Sequence, residues 1–354
     1  MHRPFQCACG RNTMVTMKDV AREANVTTAT VSYVLNGTGS VGAGTRARVL
    51  DAAKRLNYTK NLAAMKLRSG KNGIIGLALY DVGMPYAAEL SKTASIEALR
   101  HGLQLLVQQT SSSKAEERSI IETITNQFCD GMIMMAGALP SEEIHTLSRG
   151  KPVVLIDDHS PDSPLDSIFT PCREGAKTAI SRLIAEGRRN IVMLGVHATT
   201  FPLDEQSTRA TVRYTLGYRD AMEEAGLTVA PDNFVICGWT SREAYEATAR
   251  LLETGRRFDG VFCMSDSMAI GALSALNDHG VRVPEEVSLI GFDGIDEGNY
   301  TTPKLTTVAT DTRQLAGTAV TMLLDRIERP DSGKPPQRVT IGHRLIERGT
   351  TLPV

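Results

Sequence analysis

The sequence lacks the features that mark membrane-spanning, exported and disulfide-linked proteins. None of its apolar runs approaches the roughly eighteen residues that a bilayer-spanning helix needs. The N-terminus has no apolar export-signal core, and the six cysteines are scattered along the chain. These absences predict a cytoplasmic protein without a membrane partner. At 354 residues, the chain is long enough for two or three domains.

Sequence patterns for catalysis and for metal binding are also missing. The chain has no GxSxG or HExxH segment, and none of its seven histidines is spaced for a triad with Ser or Cys. Cys7 and Cys9, with His2 nearby, offer metal-ligand atoms, but no second pair follows at a usable spacing. We therefore expect no enzyme activity, no metal and no cofactor. We expect a disordered extension over residues 1–14.

Charge of neither sign dominates the whole chain, yet its two parts differ strongly. The formal net charge is −1. Residues 1–71 contain twelve Lys and Arg against three Asp and Glu, whereas the remainder contains 27 against 37. A basic segment joined to an acidic body favours phosphate contact at the N-terminal end only.

The basic segment has the apolar spacing of a helix-turn-helix. Thr16 and Asp19 form a capping-box pattern that opens a first helix, Asn25 makes the turn, and Thr27 caps a second helix. A third helix is predicted to begin at a Thr45 cap. The apolar positions predicted to face a shared core are Met17, Val20, Ala21 and Ala24, then Val31, Val34 and Leu35, then Val49, Ala52, Ala53 and Leu56.

Three segments of this region resemble the lactose/galactose repressor (LacI/GalR) family of bacterial transcription regulators. They are VTMKDVAREANVTTATVSYVLN (15–36), TRARVLDAAKRLNY (45–58) and NLAAMKL (61–67). The resemblance implies a three-helix DNA-binding domain over residues 15–59 and a hinge helix over 60–72. It puts Thr28, Ala29 and Tyr33 at base-reading positions and Leu67 at the minor-groove wedge. The predicted DNA contacts are Thr16, Thr27, Thr28, Ala29, Thr30, Ser32, Tyr33, Asn36, Tyr58, Asn61, Ala64 and Leu67. Two hinge positions depart from the family, with Lys60 in place of Pro and Met65 in place of Arg.

From residue 73 onwards, apolar runs alternate with helix-length segments, which predicts α/β lobes built on open, doubly wound parallel sheets. The predicted strands are Ile74–Leu79, Met132–Met135, Val153–Ile156, Ile191–Leu194, Val261–Met264 and Val287–Phe292. The predicted helices are Ala87–His101, Lys114–Phe128, Arg173–Glu186, Thr215–Ala225, Ser241–Thr254 and Ser267–His279. Ligands of such sheets bind beyond the carboxyl ends of the strands.

Four of the predicted strands are followed by a carboxylate, at Asp81, Asp157, Asp266 and Asp293. Carboxylates suit hydroxyl-rich ligands, and aromatic rings such as Tyr86, Trp239 and Tyr300 suit the apolar face of a sugar. An N-cap is the stronger interpretation for Asp266, because a predicted helix follows it directly. Asp293 has no comparable helix after it, so ligand contact is favoured there. Trp239 fits ligand contact and loop packing equally well.

The resemblance continues to Arg348 and implies a two-lobed body like that of periplasmic binding proteins, with an effector between the lobes. The lobes implied are approximately 73–170 with 309–340 and 171–308 with 341–354, joined near 170–172, 307–311 and 338–342. The implied effector contacts are Tyr86, Asp157, Arg213, Trp239, Asp266 and Asp293. The position of the family's effector-binding Arg holds Tyr214, so Arg213 or Arg209 is expected to replace it. Thr170-Pro171 stands where many members have Asp-Asn.

The sequence therefore predicts a ligand-responsive repressor of carbohydrate-related genes that binds a palindromic operator in double-stranded DNA. No heptad-bearing segment follows Arg348, so the resemblance implies a homodimer. The alternative is a solute-binding receptor of the same two-lobed fold without a transcriptional role. Residues 16–68 weigh against that alternative. The sequence does not identify the effector, a sugar or sugar derivative by resemblance, or say whether it weakens or strengthens DNA binding.

Overall fold

The computed structural model describes residues 15–37, 39–58, 71–135, 137–197, 209–330 and 332–354. The chain forms two compact units, which meet in sequence between Asn72 and Gly73. The predicted extension over 1–14 and the predicted hinge contacts Asn61, Ala64 and Leu67 lie outside the described residues. Within the described residues, no helix combines the length and apolar character needed to cross a membrane.

The first unit contains the predicted helix-turn-helix and a third helix. Its helices are α1 (Met17–Glu23), α2 (Thr28–Asn36) and α3 (Ala43–Arg55). Asn25 has a left-handed φ of 51°, as its place in the tight turn requires. The three helices enclose a small core of Val20, Ala21, Ala24, Val31, Val34, Val49, Ala52 and Ala53.

The capping box of α1 is confirmed, because the Thr16 side chain accepts from the Asp19 backbone and the Asp19 carboxylate accepts from the Thr16 backbone. The predicted cap of α3 at Thr45 is wrong. The helix begins two residues earlier, at Ala43, and its N-cap Gly42 makes no side-chain hydrogen bond. Glycine is acceptable at an N-cap without a side-chain acceptor, so the hydroxyl of Thr45 is not needed there.

The second unit is built on two six-stranded sheets. The first contains β1 (Ile74–Leu79), β2 (Gln104–Gln109), β3 (Gly131–Met135), β4 (Val153–Ile156), β5 (Asp166–Phe169) and β11 (Arg338–Thr340), in the order β11-β5-β4-β3-β1-β2. The second contains β6 (Ile191–Val196), β7 (Phe234–Ile236), β8 (Gly260–Cys263), β9 (Ser288–Asp293), β10 (Thr306–Thr310) and β12 (His343–Ile346), in the order β12-β10-β9-β8-β6-β7. All neighbouring strands are parallel except β12, which runs antiparallel to β10.

Helices cover both sheets. They are α4 (Pro85–Arg100), α5 (Lys114–Ser119), α6 (Asn126–Phe128), α7 (Ser141–Leu147), α8 (Cys172–Ala185), α9 (Ala210–Glu224), α10 (Ser241–Glu253), α11 (Asp266–Asp278) and α12 (Thr312–Glu328). The continuous helix expected over 114–128 is instead interrupted between α5 and α6 by a π-helical segment, Ile120–Thr125. A π-helical turn contains more residues than an α-helical turn. The side chains before and after the segment therefore point in directions that a continuous α-helix would not give them. Glu117, before this segment, accepts a hydrogen bond from the Leu139 backbone, and Asn126, after it, donates to the Leu147 carbonyl at the end of α7.

The six predicted strands are confirmed to within two residues at either end, because each is buried on both sheet faces. Other strands escape prediction. The edge strand β2 carries Gln104, Gln108 and Gln109 and is only half-buried, so it shows no continuous apolar run. The strand β12 is antiparallel and polar, with His343 and Arg344.

The two sheets and their helices form two lobes, which the chain connects three times. It leaves the first sheet after Phe169 and enters α8 at Cys172. It returns between β10 and α12, at Asp311, and crosses again between Thr340 and His343. These connections lie beside the strand ends that carry the candidate effector contacts.

Candidate DNA-binding surface and effector cleft

The helix α2 presents an open polar face. Thr27, its N-cap, accepts a hydrogen bond from the Thr30 backbone at 3.2 Å. Thr28 and Ala29 in the first turn are exposed, and the Tyr33 side chain one turn later is 51% exposed. Hydroxyl groups beside an accessible aromatic ring offer a partner both hydrogen bonds and contact area.

The remaining predicted DNA contacts in this unit differ in how exposed they are. Thr16 is exposed, and its hydroxyl donates to the Asp19 carboxylate at 2.6 Å. Thr30 and Ser32 are half-buried, and Tyr58 packs against the core of the first unit. The side chain of Asn36 lies outside what the structure describes.

The first unit also carries cations that are not among the predicted DNA contacts. Arg55 pairs with Glu23 and Asp51, each at 3.2 Å. Lys18, Arg46 and Lys54 are exposed, and none has an ion-pair partner within the described part of the first unit. Unpaired cations can neutralise phosphates without first breaking an internal pair. The signal for them was the charge balance, which does not identify individual residues.

In the second unit, Asp157 follows β4 at the carboxyl edge of the first sheet. It has a left-handed φ of 59°. Its carboxylate accepts from the Thr170 backbone at 2.6 Å and from the Thr170 hydroxyl at 2.9 Å. Burial raises the pKa of Asp157 to about 6, because it outweighs the opposing effect of these hydrogen bonds.

Asp293 ends β9 at the carboxyl edge of the second sheet, with a φ of 115°. Burial and the neighbouring charge of Asp266 both raise its pKa. A non-glycine residue in this backbone region is strained, and such strain is typical of functional positions.

Asp266 is fully buried beneath this turn. Its carboxylate accepts from the backbone of Gly294 at 2.8 Å and of Ile295 at 2.9 Å. The N-cap interpretation of Asp266 is wrong, because Ser265 caps α11 by accepting from the Met268 backbone. Asp266 is instead the first residue of the helix, and it fixes the turn that carries Asp293.

Aromatic side chains line the same region. The Tyr86 hydroxyl is buried without a hydrogen-bond partner, and burial followed by the charges of Asp157 and Asp293 raises the pKa of this phenol. Trp239 packs against the hydrophobic cores of both lobes. Its ring lies 6.3 Å from that of Tyr214, edge to face. Tyr300, by contrast, is 78% exposed.

Arg213 lies on α9 of the second lobe, and its positive charge affects a histidine of the first lobe. The pKa of His159 is lowered to about 4, mainly by burial and then by the positive charge of Arg213. His159 follows β4 and stacks on Phe169, with ring centroids 4.6 Å apart. Arg209 is the N-cap residue of the same helix and is exposed.

The structure adds four polar residues that the sequence-based effector contacts omit. They are Tyr80, Thr170, Cys172 and Tyr214. The charges of Asp293 and Asp157 both contribute to raising the pKa of Tyr80, after burial. Thr170 and Tyr214 were visible in the sequence as departures from the family pattern, whereas nothing in the sequence distinguished Cys172 from the other scattered cysteines.

Comparison with known proteins identifies both units. Residues 16–61 match the model of bacterial regulatory proteins of the lacI family, and residues 180–351 match a periplasmic binding protein-like domain. The HTH-type transcriptional repressor PurR of Haemophilus influenzae strain PittEE is 32% identical over 338 residues, which cover 95% of this chain and 98% of PurR. This chain belongs to the LacI family of bacterial regulatory proteins.

Other relatives agree with this assignment. The HTH-type transcriptional regulator RegA of Clostridium saccharobutylicum is 29% identical, over 95% of this chain and 99% of RegA. The crystal structure of the lac repressor dimer bound to operator and the anti-inducer ONPF is 25% identical, with a TM-score of 0.80 over 96% of this chain and 99% of that one. The LacI-family chain is a ligand-responsive, DNA-binding transcriptional regulator. The relatives named here are regulators and not enzymes.

Proposed function

We propose that this regulator is a repressor that binds a roughly palindromic operator as a homodimer and responds to a hydroxyl-rich effector in the cleft between its lobes. The observation that carries the proposal is the contact of Trp239 with both hydrophobic cores, beside carboxylates from both sheets. A ligand held there touches both lobes, so its binding is linked to the angle between them.

For DNA binding, the proposal assigns base reading to Thr28, Ala29 and Tyr33, which are the exposed positions of α2. Thr16, Thr27 and the unpaired Lys18 and Arg46 then contact the phosphate backbone. Residues 15–59 act as the DNA-binding domain and residues 60–72 as the hinge that joins it to the body.

For the effector, the proposal assigns direct contact to Tyr86, Asp157, Trp239 and Asp293. Asp266 positions Asp293 through the turn that it fixes. Arg213 replaces the family's Arg in preference to Arg209, because Arg213 acts electrostatically on His159 of the opposite lobe. Carboxylates and a buried phenol hydroxyl provide directional partners for ligand hydroxyls, while Trp239 covers an apolar ring face.

For assembly, α4 of the first lobe offers an apolar surface. Ile96 is 50% exposed and Leu99 is 60% exposed on this helix. Burying such side chains against the same helix of a second copy favours a two-fold dimer, which suits a palindromic site.

The proposal is tested by selecting binding sites for the purified protein from random duplexes. We expect an enriched palindromic sequence, affinity that falls steeply with salt, and affinity that changes when the effector is added. A thermal-shift screen of sugars, sugar acids, polyols and purines supplies the effector. Failure to enrich any sequence, with ligand binding intact, would instead support a solute receptor.

A further inference from the structure

The two places where the cleft departs from the family pattern are connected in space. Thr170 binds the Asp157 carboxylate, and its hydroxyl lies 2.9 Å from the Cys172 sulfur. After burial, the charge of Cys172 contributes most to the raised pKa of Tyr214, so this phenol also lies near the sulfur. The polar groups of Thr170 and Cys172 thus link Asp157 of the first lobe, across the connection at Pro171, to the surroundings of Tyr214 in the second lobe.

Two of these groups occupy positions where the resemblance implies charged groups. Tyr214 stands at the position of an effector-binding Arg, and Thr170 at that of an Asp. The ring of Tyr214 is buried against Phe292, with centroids 4.8 Å apart. At this position an uncharged phenol thus stands in place of a cation, while the carboxylates of Asp157 and Asp293 are kept.

Among the described residues, neither Asp157 nor Asp293 forms an ion pair with a Lys or Arg side chain. Burial and hydrogen bonds from Thr170 determine the pKa of Asp157. Burial and Asp266 dominate at Asp293.

The surroundings of the two carboxylates are aromatic. Tyr80, Tyr86 and Trp239 all pack against the hydrophobic core of the first lobe. The charges of Asp157 and Asp293 both contribute to raising the pKa of the two tyrosines. Desolvated carboxylates are costly unless a positive partner meets them, and aromatic faces attract cations. A carboxylate or phosphate on the ligand would add repulsion instead.

We infer that the effector of this regulator is a hydroxyl-rich amine, such as an amino sugar, whose ammonium group is bound by Asp157 and Asp293. This inference rests on the proposed function, since it concerns the same cleft. The ammonium group supplies the positive partner that neither carboxylate has among the described residues. The hydroxyls of the ligand meet the Tyr86 hydroxyl, which has no partner within the protein.

The test uses matched pairs of probes on the full-length protein, read by thermal shift and calorimetry. The pairs are D-glucosamine with D-glucose, D-galactosamine with D-galactose, and D-mannosamine with D-mannose, with D-glucuronate as the anionic probe. We expect at least one amine to stabilise the protein more than its hydroxyl counterpart, and no stabilisation by glucuronate. A series in which no amine exceeds its counterpart, including a series without any shift, overturns the inference.

Single-residue variants test whether the two carboxylates bind the ammonium group. Asp157→Asn should weaken binding of the preferred amine by roughly tenfold or more, as expected for loss of a charge-assisted hydrogen bond. Asp293→Asn provides a second, independent variant. The control is Asp278→Asn, because Asp278 also lies beside a tyrosine, 3.0 Å from the Tyr245 hydroxyl, but at the far end of α11. Equal losses in all three variants, or none in either cleft variant, would contradict the inference.

The outcomes separate this inference from the proposed function. If a neutral sugar binds best and changes operator affinity, the amine inference fails and the proposed function stands. If an amine binds best but operator affinity does not change, the ligand class is right and the proposed regulatory role of the cleft is wrong.

Discussion

The candidate functional groups of the first unit are exposed to solvent, whereas those of the second unit are largely buried. In the first, Thr28, Ala29 and Tyr33 are exposed on a helix that packs against a core of valine and alanine side chains. In the second, Asp157, Asp293 and Tyr86 lie in a region where burial dominates their titration.

This difference follows from the partners. A DNA duplex is large and highly charged, so an exposed surface with free cations can meet it without rearrangement. A small ligand offers few atoms, and each contact with it must be made in a desolvated site to be worth much. Substitutions of these groups in the body should therefore mainly change its stability. Substitutions of the exposed groups in the first unit should mainly change DNA recognition.

The largest expected effect is on the unfolding free energy, when one aromatic residue in each unit is replaced by alanine. Phe292→Ala removes a side chain that is 1% exposed and contacts Tyr214, so we expect a loss of about 3–5 kcal/mol in the unfolding free energy of the body. Tyr33→Ala should cost less than about 0.5 kcal/mol, because the ring is already in water. Urea unfolding followed by the fluorescence of Trp239 and by circular dichroism measures both. Similar costs for the two variants would break the comparison.

The second effect concerns pH. The folded pKa of Asp157 is about 6, above its ordinary 3.8, so the folded body binds the proton more tightly than the unfolded chain. Its contribution is fully present below the ordinary value and is lost as pH rises through about 6. Two pKa units correspond to about 3 kcal/mol as an upper limit. Asp157→Asn should remove this part of the pH dependence.

The pKa of Asp19 in the first unit is shifted in the opposite direction, so its contribution to stability has the opposite pH dependence. Hydrogen bonds from Thr16 lower its pKa, so its contribution is present above the ordinary value and is lost as pH falls. Unfolding of Asp157→Asn with the same pH dependence as the unsubstituted protein would contradict the buried position of this carboxylate.

The third effect is on DNA recognition. Tyr33→Ala should weaken binding to the selected operator by about 1–3 kcal/mol, the range for a base-discriminating contact, and should leave binding to random duplex nearly unchanged. Fluorescence anisotropy at fixed salt measures both affinities. Tyr300→Ala serves as control, since that ring is also exposed but belongs to the body. Equal losses on the two duplexes would remove Tyr33 from base reading.

The smallest effect compares two capping boxes, Thr16 with Asp19 in α1 and Thr240 with Glu243 in α10. Thr16→Ala and Thr240→Ala should each destabilise their own unit by about 1 kcal/mol. Only Thr16→Ala should also lower operator affinity, because Thr16 lies on the proposed phosphate-contacting side. Thermal unfolding and anisotropy on the same preparations test this. An equal effect of Thr240→Ala on DNA binding would show that the loss is transmitted through stability alone.

The sequence predicted those elements whose cause is local. The caps at Thr16 and Thr27 and the apolar spacing of α1 and α2 lie within a few residues of each other, so the pattern specifies them. The central strands are visible because parallel strands covered on both faces are continuously apolar. The edge strand β2, with its glutamines, has no such pattern.

The candidate cleft was predictable only in part. Strand-end carboxylates pointed to Asp157 and Asp293, because topology places them at one edge. The role of Asp266 depends on the turn after β9, which packs on α11 only in the folded lobe. The contact of Thr170 with Cys172 and the proximity of Tyr214 to this sulfur join different elements, and no spacing rule reveals them.

The three connections between the lobes also determine the order in which a ribosome can complete the molecule. The apolar residues of α1 to α3 are all synthesised early. The second sheet, in contrast, gains β10 and β12 only near the end of translation, and the first sheet gains its covering helix α12 and its edge strand β11 equally late. A nascent chain can therefore complete its DNA-reading helices well before either lobe of its ligand sensor.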